Sequence, residues 1–530
     1  MLEAPSHTVR AAPNLGTRYA LTTGPVPARI PIRVSYWLAL LLFVSLFVEY
    51  ILNLGETALF LTGAALLLCA GHALFSRFTD GLVLLPYIVV CSPMLRVDVL
   101  TGISANVADA YIGLVALCYF LAPRLRSRRT DNRFILCIGA AIGVSWIFSQ
   151  SREASLFAII GLCEYLVVFV ATRAACRDAP QIQRMMKAWS YAVAVGSGLV
   201  VYSYYTNTVL SLSVTEAFRQ NVEAFKSGSD FFRATYFLTG FPHLLGVSIT
   251  SLWTFLLLTR RLMRRSTILP VCALFVNSFA LMLCATRSVI ASVCFSVVVV
   301  TGVVRGWKKM LSVAVAGVVG VSVYVAGAVV VGETQLEALG YRLVGIGSIF
   351  PRFAVWGNAW SEVTGSAKVF LFGLGPDISV RRGEDAVLQR IFDSGVGMEG
   401  SVDSLYVYIL LDYGVVVFAL ITALVVGVFA PMTKRVFHRK DVDAIVPVWI
   451  ALVCFGIGAI TQTLSVSKFG WAVVQLVAMA AVLTDGDRLP RVPTREAMDF
   501  RYVRRAGMHG GSDPHVCGAA PPRLFTPPLG

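Results

Sequence analysis

The chain has 530 residues, of which 57% are hydrophobic and 14% are charged. Soluble globular proteins carry about 25% charged residues, so this composition excludes a soluble enzyme and predicts an integral membrane protein. A net charge of +15 would suggest nucleic-acid binding in a soluble protein. Here the basic residues cluster between apolar runs, and we therefore exclude nucleic acid as a partner.

Apolar runs of about 17 to 25 residues recur along nearly the whole chain. Because hydrocarbon cannot satisfy an open sheet edge, such runs predict helices rather than the short alternating strands of a β-barrel. The predicted fold class is an all-α polytopic membrane protein with about 14 transmembrane helices. The predicted spans are residues 36–53, 56–75, 81–95, 103–122, 134–150, 154–172, 188–206, 234–259, 267–285, 288–304, 310–331, 405–430, 444–463 and 468–484.

Clusters of basic residues between these spans predict their orientation. Positively charged loops stay in the cytoplasm, so each cluster is predicted to be cytoplasmic, and so are both termini. Residues 1–33 are a basic tail, residues 34–331 carry helices 1–11, residues 403–484 carry helices 12–14, and residues 485–530 are a tail expected to be disordered. The clusters are Arg124–Arg133, Arg173–Lys187, Arg260–Arg265, Arg305–Lys309 and Lys434–Lys440.

Residues 332–402 are a long segment without a membrane span, and the predicted topology puts them outside the cytoplasm. Pro351 stands where a helix could begin. Apolar residues near it recur at spacings of four and three, which predicts an amphipathic helix. They are Ile349, Phe353, Trp356, Trp360 and Val363. We interpret the segment as one large extracytoplasmic loop that contains amphipathic helices and covers a membrane cavity as a lid.

Four arginines are predicted to lie on the same side of the membrane as this loop, and together they suggest an anion site. A guanidinium group binds phosphate oxygens bidentately, most strongly where water is excluded. Each arginine alone could instead snorkel to the interface or contact anionic lipid headgroups. Because a charge at membrane depth is costly without a partner, we favour one shared site. The four are Arg233, Arg287, Arg342 and Arg352.

Polar residues also mark the junction between the loop and the next span. Asp403 could accept a proton from a hydroxyl nucleophile as a general base, or it could cap the following helix, and one residue could do both. Ser404, Tyr406 and Glu399 lie near it as supporting residues. His243, about 15 Å into its span, is interpreted as a hydrogen-bonded interior residue. No metal-ligand spacing occurs, so neither a metal nor a cofactor is predicted.

Several short motifs occur in a fixed order along the second part of the chain. They are Arg233-Ala-Thr-Tyr-Phe, Phe241-Pro-His, Thr286-Arg-Ser288, Arg352-Phe-Ala-Val-Trp356, Phe372-Gly-Leu-Gly-Pro376, Asp403-Ser-Leu-Tyr406 and Asp412-Tyr-Gly414. Their order resembles that of the O-antigen ligase and Wzy polymerase superfamily. The resemblance spans about residues 230 to 430. Order, spacing and predicted placement carry it, since no single motif is specific.

The resemblance implies a metal-independent glycosyltransferase in the bacterial plasma (inner) membrane. Such an enzyme takes a glycan from an undecaprenyl-diphosphate carrier and joins it to an acceptor hydroxyl on the extracytoplasmic face. By motif order, Arg233, Arg287 and Arg352 would hold the diphosphate. Many ligases have a His-Asn pair where this chain reads Asp403-Ser404, and residues 332–402 contain no histidine. The resemblance therefore favours a polymerase over a ligase.

The predicted reaction is an in-line displacement at the anomeric carbon of a lipid-diphosphate-linked sugar. Arg287 and Arg352 would stabilise charge on the leaving diphosphate and Asp403 would act as general base, with Trp356 in a supporting role. Two alternatives stay open: ligase-like transfer to a lipid or another acceptor, and a lipid-linked oligosaccharide flippase, for which no internal repeat is visible. The expected partners are the lipid-linked oligosaccharide, an acceptor glycan, the bilayer, and chain-length regulator or export proteins.

Overall fold

The computed structural model describes residues 32–52, 54–100, 103–121, 129–149, 152–176, 178–206, 241–262, 268–284, 286–331, 349–376, 404–438, 442–460 and 470–484. Within these ranges the chain is helical apart from one short hairpin. The elements of the first part are α1 (Ile32–Ile51), α2 (Glu56–Ser76), α3 (Phe78–Leu82), α4 (Leu85–Cys91), β1 (Arg96–Leu100), β2 (Ile103–Asn106), α5 (Val107–Leu121), α6 (Arg129–Ile147), α7 (Arg152–Ala175) and α8 (Ala179–Thr206).

Helices also make up the described ranges of the second part of the chain. They are α9 (Phe241–Leu262), α10 (Ile268–Cys284), α11 (Arg287–Arg305), α12 (Trp307–Val331), α13 (Ile349–Thr364), α14 (Ala367–Phe372), α15 (Leu405–Phe437), α16 (Val442–Gly458) and α17 (Gly470–Thr484). The helix predicted around Pro351 is therefore present as α13.

The chain is an α-helical membrane protein. Among the described residues, five helical segments are long and apolar enough to cross a bilayer: Val34–Ile51, Thr57–Ser76, Phe241–Leu258, Ser288–Arg305 and Leu405–Phe437. Six apolar helices are shorter: Phe78–Cys91, Val107–Leu121, Cys137–Ile147, Ile268–Cys284, Ile445–Gly458 and Gly470–Thr484. The larger figure of about 14 crossings stays a prediction, as does the extent of the outer loop.

The third predicted span, residues 81–95, is not one continuous helix. It contains the end of α3, all of α4 and a 3-10 turn at Ser92–Leu95. Pro86 lies in the first turn of α4, where its missing N–H group would have no intrahelical acceptor. The proline therefore starts a new helix instead of interrupting a long one.

The hairpin replaces the start of the fourth predicted span. β1 and β2 pair antiparallel, with Arg96 opposite Asn106. Helix α5 begins only at Val107, because Asn106 and Asp109 cap its first turn reciprocally. The Asn106 backbone N–H donates to Asp109 Oδ2 at 3.0 Å, and the Asp109 N–H donates to Asn106 Oδ1 at 3.1 Å. The all-α prediction therefore missed one small sheet.

Contacts between helix ends join residues that are predicted to lie on the same side of the membrane. Arg305, at the end of α11, donates to the Leu257 carbonyl oxygen of α9. Arg435, near the end of α15, donates to the Leu483 carbonyl oxygen of α17. All four residues come from predicted cytoplasmic ends. The orientation relative to the cytoplasm itself stays a prediction.

Helix α9 lies at the centre of the bundle. Its apolar segment is 78% buried, whereas the other four long segments are 17% to 39% buried, and it contacts α8, α10, α11 and α16. Buried polar groups join it to α10 and, through Asn277 of α10, to α8. Asn277 Nδ2 donates to Ser248 Oγ at 2.6 Å, and Ser197 Oγ donates to Asn277 Oδ1 at 2.8 Å. Helix α9 thus carries His243 into a rigid, tightly packed region.

Candidate functional site

The start of α15 is attached to the end of α16. The Leu405 backbone N–H donates to the Ala459 carbonyl oxygen at 3.0 Å, and the Tyr406 hydroxyl donates to the Gly456 carbonyl oxygen at 2.9 Å. Ser404 occupies the N-cap position with extended backbone, is 3% exposed, and makes no side-chain capping hydrogen bond. Tyr406 therefore has a clear anchoring role at the junction predicted to lie beside the site.

His243 packs against this same end of α16. It is 2% exposed, and its ring lies 6.4 Å from that of Phe455 in an edge-to-face arrangement. A Cβ atom at Gly458 would come within 2.7 Å of His243 Nδ1 and 3.6 Å of Ser292 Oγ. Helices α9, α11 and α16 therefore meet at Gly458, and His243 lies in the interior there. Its predicted hydrogen bond stays a prediction.

The four predicted arginines differ in what the structure describes of them. Arg287 is the first residue of α11 and follows Thr286, which is 5% exposed. Arg352 lies in the first turn of α13. Arg233 and Arg342 lie outside the described residues, as do Glu399 and Asp403. The gathering of the guanidinium groups into one anion site therefore stays a prediction.

A second set of contacts, separate from those at the end of α16, surrounds a break in α15. Gly414 has φ 75° and ψ 177°, so the helix is interrupted there, inside an apolar segment. The loop that follows α14 docks onto this break. The Leu374 backbone N–H donates to the Leu411 carbonyl oxygen at 2.8 Å, and the Gly375 N–H donates to the Asp412 carbonyl oxygen at 3.1 Å. Carbonyl groups released by the break are thus satisfied by another segment.

Glycines permit this close approach on both sides. Gly373 has φ 76°, and a Cβ atom on it would lie 2.4 Å from the Asp412 carbonyl oxygen. A Cβ atom on Gly414 would lie 2.4 Å from the Leu371 carbonyl oxygen. Non-glycine residues rarely adopt this backbone conformation, and the second contact leaves no room for a side chain. We call the two joined segments, residues 372–376 and 411–414, the helix-break clamp.

Helix α6 and the residue that follows it contact the helix-break clamp. Ser145 is fully buried, and its Oγ donates to the Phe372 carbonyl oxygen at 2.5 Å and to the Asp412 carbonyl oxygen at 3.4 Å. The Phe148 ring stacks on the Phe372 ring at 4.8 Å, and Lys368 Nζ lies 5.7 Å from the Phe148 ring. Sequence reasoning missed Ser145, Phe148 and Lys368, because a serine inside an apolar span gives no signal of its partner.

Replacing Ser145 with alanine should loosen the clamp without unfolding the protein. One net hydrogen bond contributes about 1 kcal/mol, so we expect a small fall in the melting temperature of the purified protein in detergent. Ser312→Ala is the matched control, because its hydroxyl bonds only within its own helix, to the Lys308 carbonyl oxygen. Equal melting temperatures for the two variants would show that Ser145 adds nothing to the clamp.

Helix α13 packs on the clamp through a face that differs from the predicted one. Its buried residues are Val355, Ala359 and Val363, which form one cluster with Leu374 and Leu411. The predicted apolar stripe included Phe353 and Trp360, but these are 56% and 55% exposed. The stripe prediction is therefore wrong for Phe353 and Trp360 but holds for Val363, because the helix is rotated so that smaller residues meet the clamp. Trp356, between the two faces, packs against the cluster.

Asp412 lies two residues before the break at Gly414 and is fully buried. A carboxylate inside a membrane segment is costly and typically marks a functional position. Broken membrane helices are likewise common at substrate sites, because they offer backbone groups and helix ends to a ligand. The clamp therefore contains a buried acidic residue and an internal helix terminus. It lies against the helix that carries Arg352.

Neither the described residues that could bind a metal nor the comparisons with known proteins assign a function to this site. Within the described ranges, no group of three His, Cys, Asp or Glu side chains could hold a metal ion. No protein-family model matches the sequence. The curated proteins likewise include no significant match. The candidate site is therefore built from the residues and from their contacts.

Proposed function

We propose that the protein is an integral-membrane glycosyltransferase that polymerises lipid-diphosphate-linked oligosaccharides on the extracytoplasmic face. The helix-break clamp is the observation that carries the proposal. Its two halves are the Phe372–Pro376 and Asp412–Gly414 motifs of the resemblance to the O-antigen ligase and Wzy polymerase superfamily. The helix that carries Arg352 packs against both of them. Motifs that are far apart in sequence but meet in space support one shared site.

The reaction forms one bond and breaks one bond at the anomeric carbon. The oxygen of an acceptor sugar hydroxyl bonds to that carbon, while the bond from the carbon to the diphosphate oxygen breaks. Undecaprenyl diphosphate leaves with the bonding electron pair, and the hydroxyl proton passes to the Asp403 carboxylate. Arg287 and Arg352, with Arg233 and Arg342, bind the diphosphate and stabilise the charge that develops on it.

Local charge at the clamp supports an anionic substrate. The helical part of α15 after Gly414 begins a new helix N-terminus, whose dipole is equivalent to about half a positive charge. Lys368 adds a full positive charge near Phe148 and Phe372. These two features oppose the charge of the Asp412 carboxyl and favour a diphosphate close to the clamp, on the side where the large loop is predicted.

A flippase is the second candidate, because the break at Gly414 also favours it. Discontinuous helices are typical of transporters, in which they form the substrate site near the membrane midplane. A ligase-like transfer uses the same chemistry as the polymerase but a different acceptor. The three functions therefore differ in product and in transport, and a single assay can separate them.

The test is reconstitution of the purified full-length protein in liposomes. The substrate is the lipid-diphosphate-linked oligosaccharide that accumulates in cells lacking the protein. We expect a ladder of longer lipid-linked glycans to form, also in the presence of EDTA. Movement of the lipid across the bilayer without a longer product would identify a flippase. Transfer that occurs only when a separate acceptor is added would identify a ligase.

A further inference from the structure

One flank of α13 carries exposed aromatic side chains. Phe353 and Trp360 are more than half exposed, whereas Val363, which belongs to the same predicted stripe, is buried. The two exposed aromatic residues are two helical turns apart, which is about 10 Å along the axis. Trp356 lies between them on the same flank. We call Phe353, Trp356 and Trp360 the aromatic ledge.

Trp356 has an unsatisfied polar group within the ledge. Its Nε1 atom is shielded from water and has no hydrogen-bond partner among the described residues. The Phe353 ring packs edge-to-face against the Trp356 ring, with centroids 5.3 Å apart and an interplanar angle of 85°. Buried indole N–H groups normally find an acceptor. Because Phe353 is itself exposed, a ligand that packs on its ring would lie beside the Trp356 indole.

We propose that the aromatic ledge binds saccharide rings of the lipid-linked glycan, an inference that rests on the proposed function. A sugar ring presents C–H groups on its face, which suit an aromatic ring, and hydroxyl oxygens at its edge, which can accept the Trp356 N–H. An acyl chain offers no such acceptor. Arg352 lies four residues before Trp356, on the same face of α13, so a diphosphate bound by it would leave its attached sugar beside the ledge.

The test measures binding separately from catalysis. The probes are the repeat-unit oligosaccharide, released from its carrier by mild acid, and undecaprenyl diphosphate without sugar, each titrated against the purified full-length protein by calorimetry. We expect Phe353→Leu and Trp360→Leu each to weaken oligosaccharide binding about tenfold, because leucine keeps the apolar surface but loses the aromatic face. Binding of undecaprenyl diphosphate should be unchanged. Trp356→Phe should weaken oligosaccharide binding by a smaller factor.

Matched controls separate the ledge from exposed aromatic residues in general. Trp307 and Phe275 are 66% and 72% exposed on other helices, so Trp307→Leu and Phe275→Leu should bind the oligosaccharide like the parent protein. Unchanged oligosaccharide binding by the ledge variants, or no binding by the parent, would overturn the inference. In that case glycan elongation by the parent would still support the proposed function. Absence of elongation would instead refute the function, whatever the binding result.

Discussion

Replacing Gly414 with alanine is expected to abolish glycan elongation, with a rate at least about a hundredfold below that of the parent protein. The Gly414 backbone, at φ 75° and ψ 177°, is in a region that only glycine adopts readily. The alanine Cβ atom would also lie 2.4 Å from the Leu371 carbonyl oxygen, and a backbone group cannot rotate away as a side chain can. The clamp must therefore separate, which displaces the loop and α13 together. Elongation per amount of membrane-inserted protein is the quantity to measure.

Gly427→Ala is the control for this substitution. Gly427 lies in the same helix, and a Cβ atom there would have no heavy atom within 4 Å. The control should insert and elongate glycan like the parent, because alanine is the better helix former. Size-exclusion chromatography of both variants separates loss of activity from loss of folding. Parental elongation by a monodisperse Gly414→Ala protein would show that the clamp is irrelevant to catalysis.

The helices of this protein could be predicted from sequence because their cause is local. A long apolar run in hydrocarbon must satisfy its own backbone groups, and only a helix does this within one segment. The same reasoning failed at Ile103–Asn106, where four residues adjoining an apolar run form a strand. There the reciprocal capping by Asn106 and Asp109 determines where α5 begins. A local hydrogen bond thus overrides the apolar pattern.

The helix-break clamp could not be derived from hydropathy, because its cause is a long-range contact. Gly414 is one of many glycines in apolar spans, and nothing near it in sequence indicates a positive φ. The break depends on Leu374 and Gly375, which supply the N–H donors from another segment. Likewise, the rotation of α13 depends on the shape of the clamp beneath it. Only the family resemblance indicated that the two motifs belong together.

Removing the guanidinium groups of Arg352 and Arg287 is the most direct test of the proposed chemistry. Loss of one donor to a charge that develops in the transition state costs about a hundredfold in rate or more. We therefore expect Arg352→Ala and Arg287→Ala each to lower the kcat of elongation by about that factor. The lysine variants should fall between alanine and the parent, because lysine keeps the charge but loses the bidentate fork. The measurement is steady-state elongation of the lipid-linked substrate in detergent micelles.

Separate measurement of kcat and KM distinguishes arginines that only bind the diphosphate from arginines that stabilise the transition state. A group that binds the diphosphate equally in the ground state and the transition state changes KM alone, whereas a group that stabilises the leaving diphosphate changes kcat. Arg77→Ala is the matched control, because the Arg77 side chain is 70% exposed. Its guanidinium group lies 3.5 Å from the Asp80 carboxylate, and such a surface ion pair contributes little to stability. It should retain parental kcat and KM. If Arg352→Ala and Arg287→Ala also elongate glycan at the parental rate, the leaving diphosphate must be stabilised by other groups, and the proposed anion site is wrong.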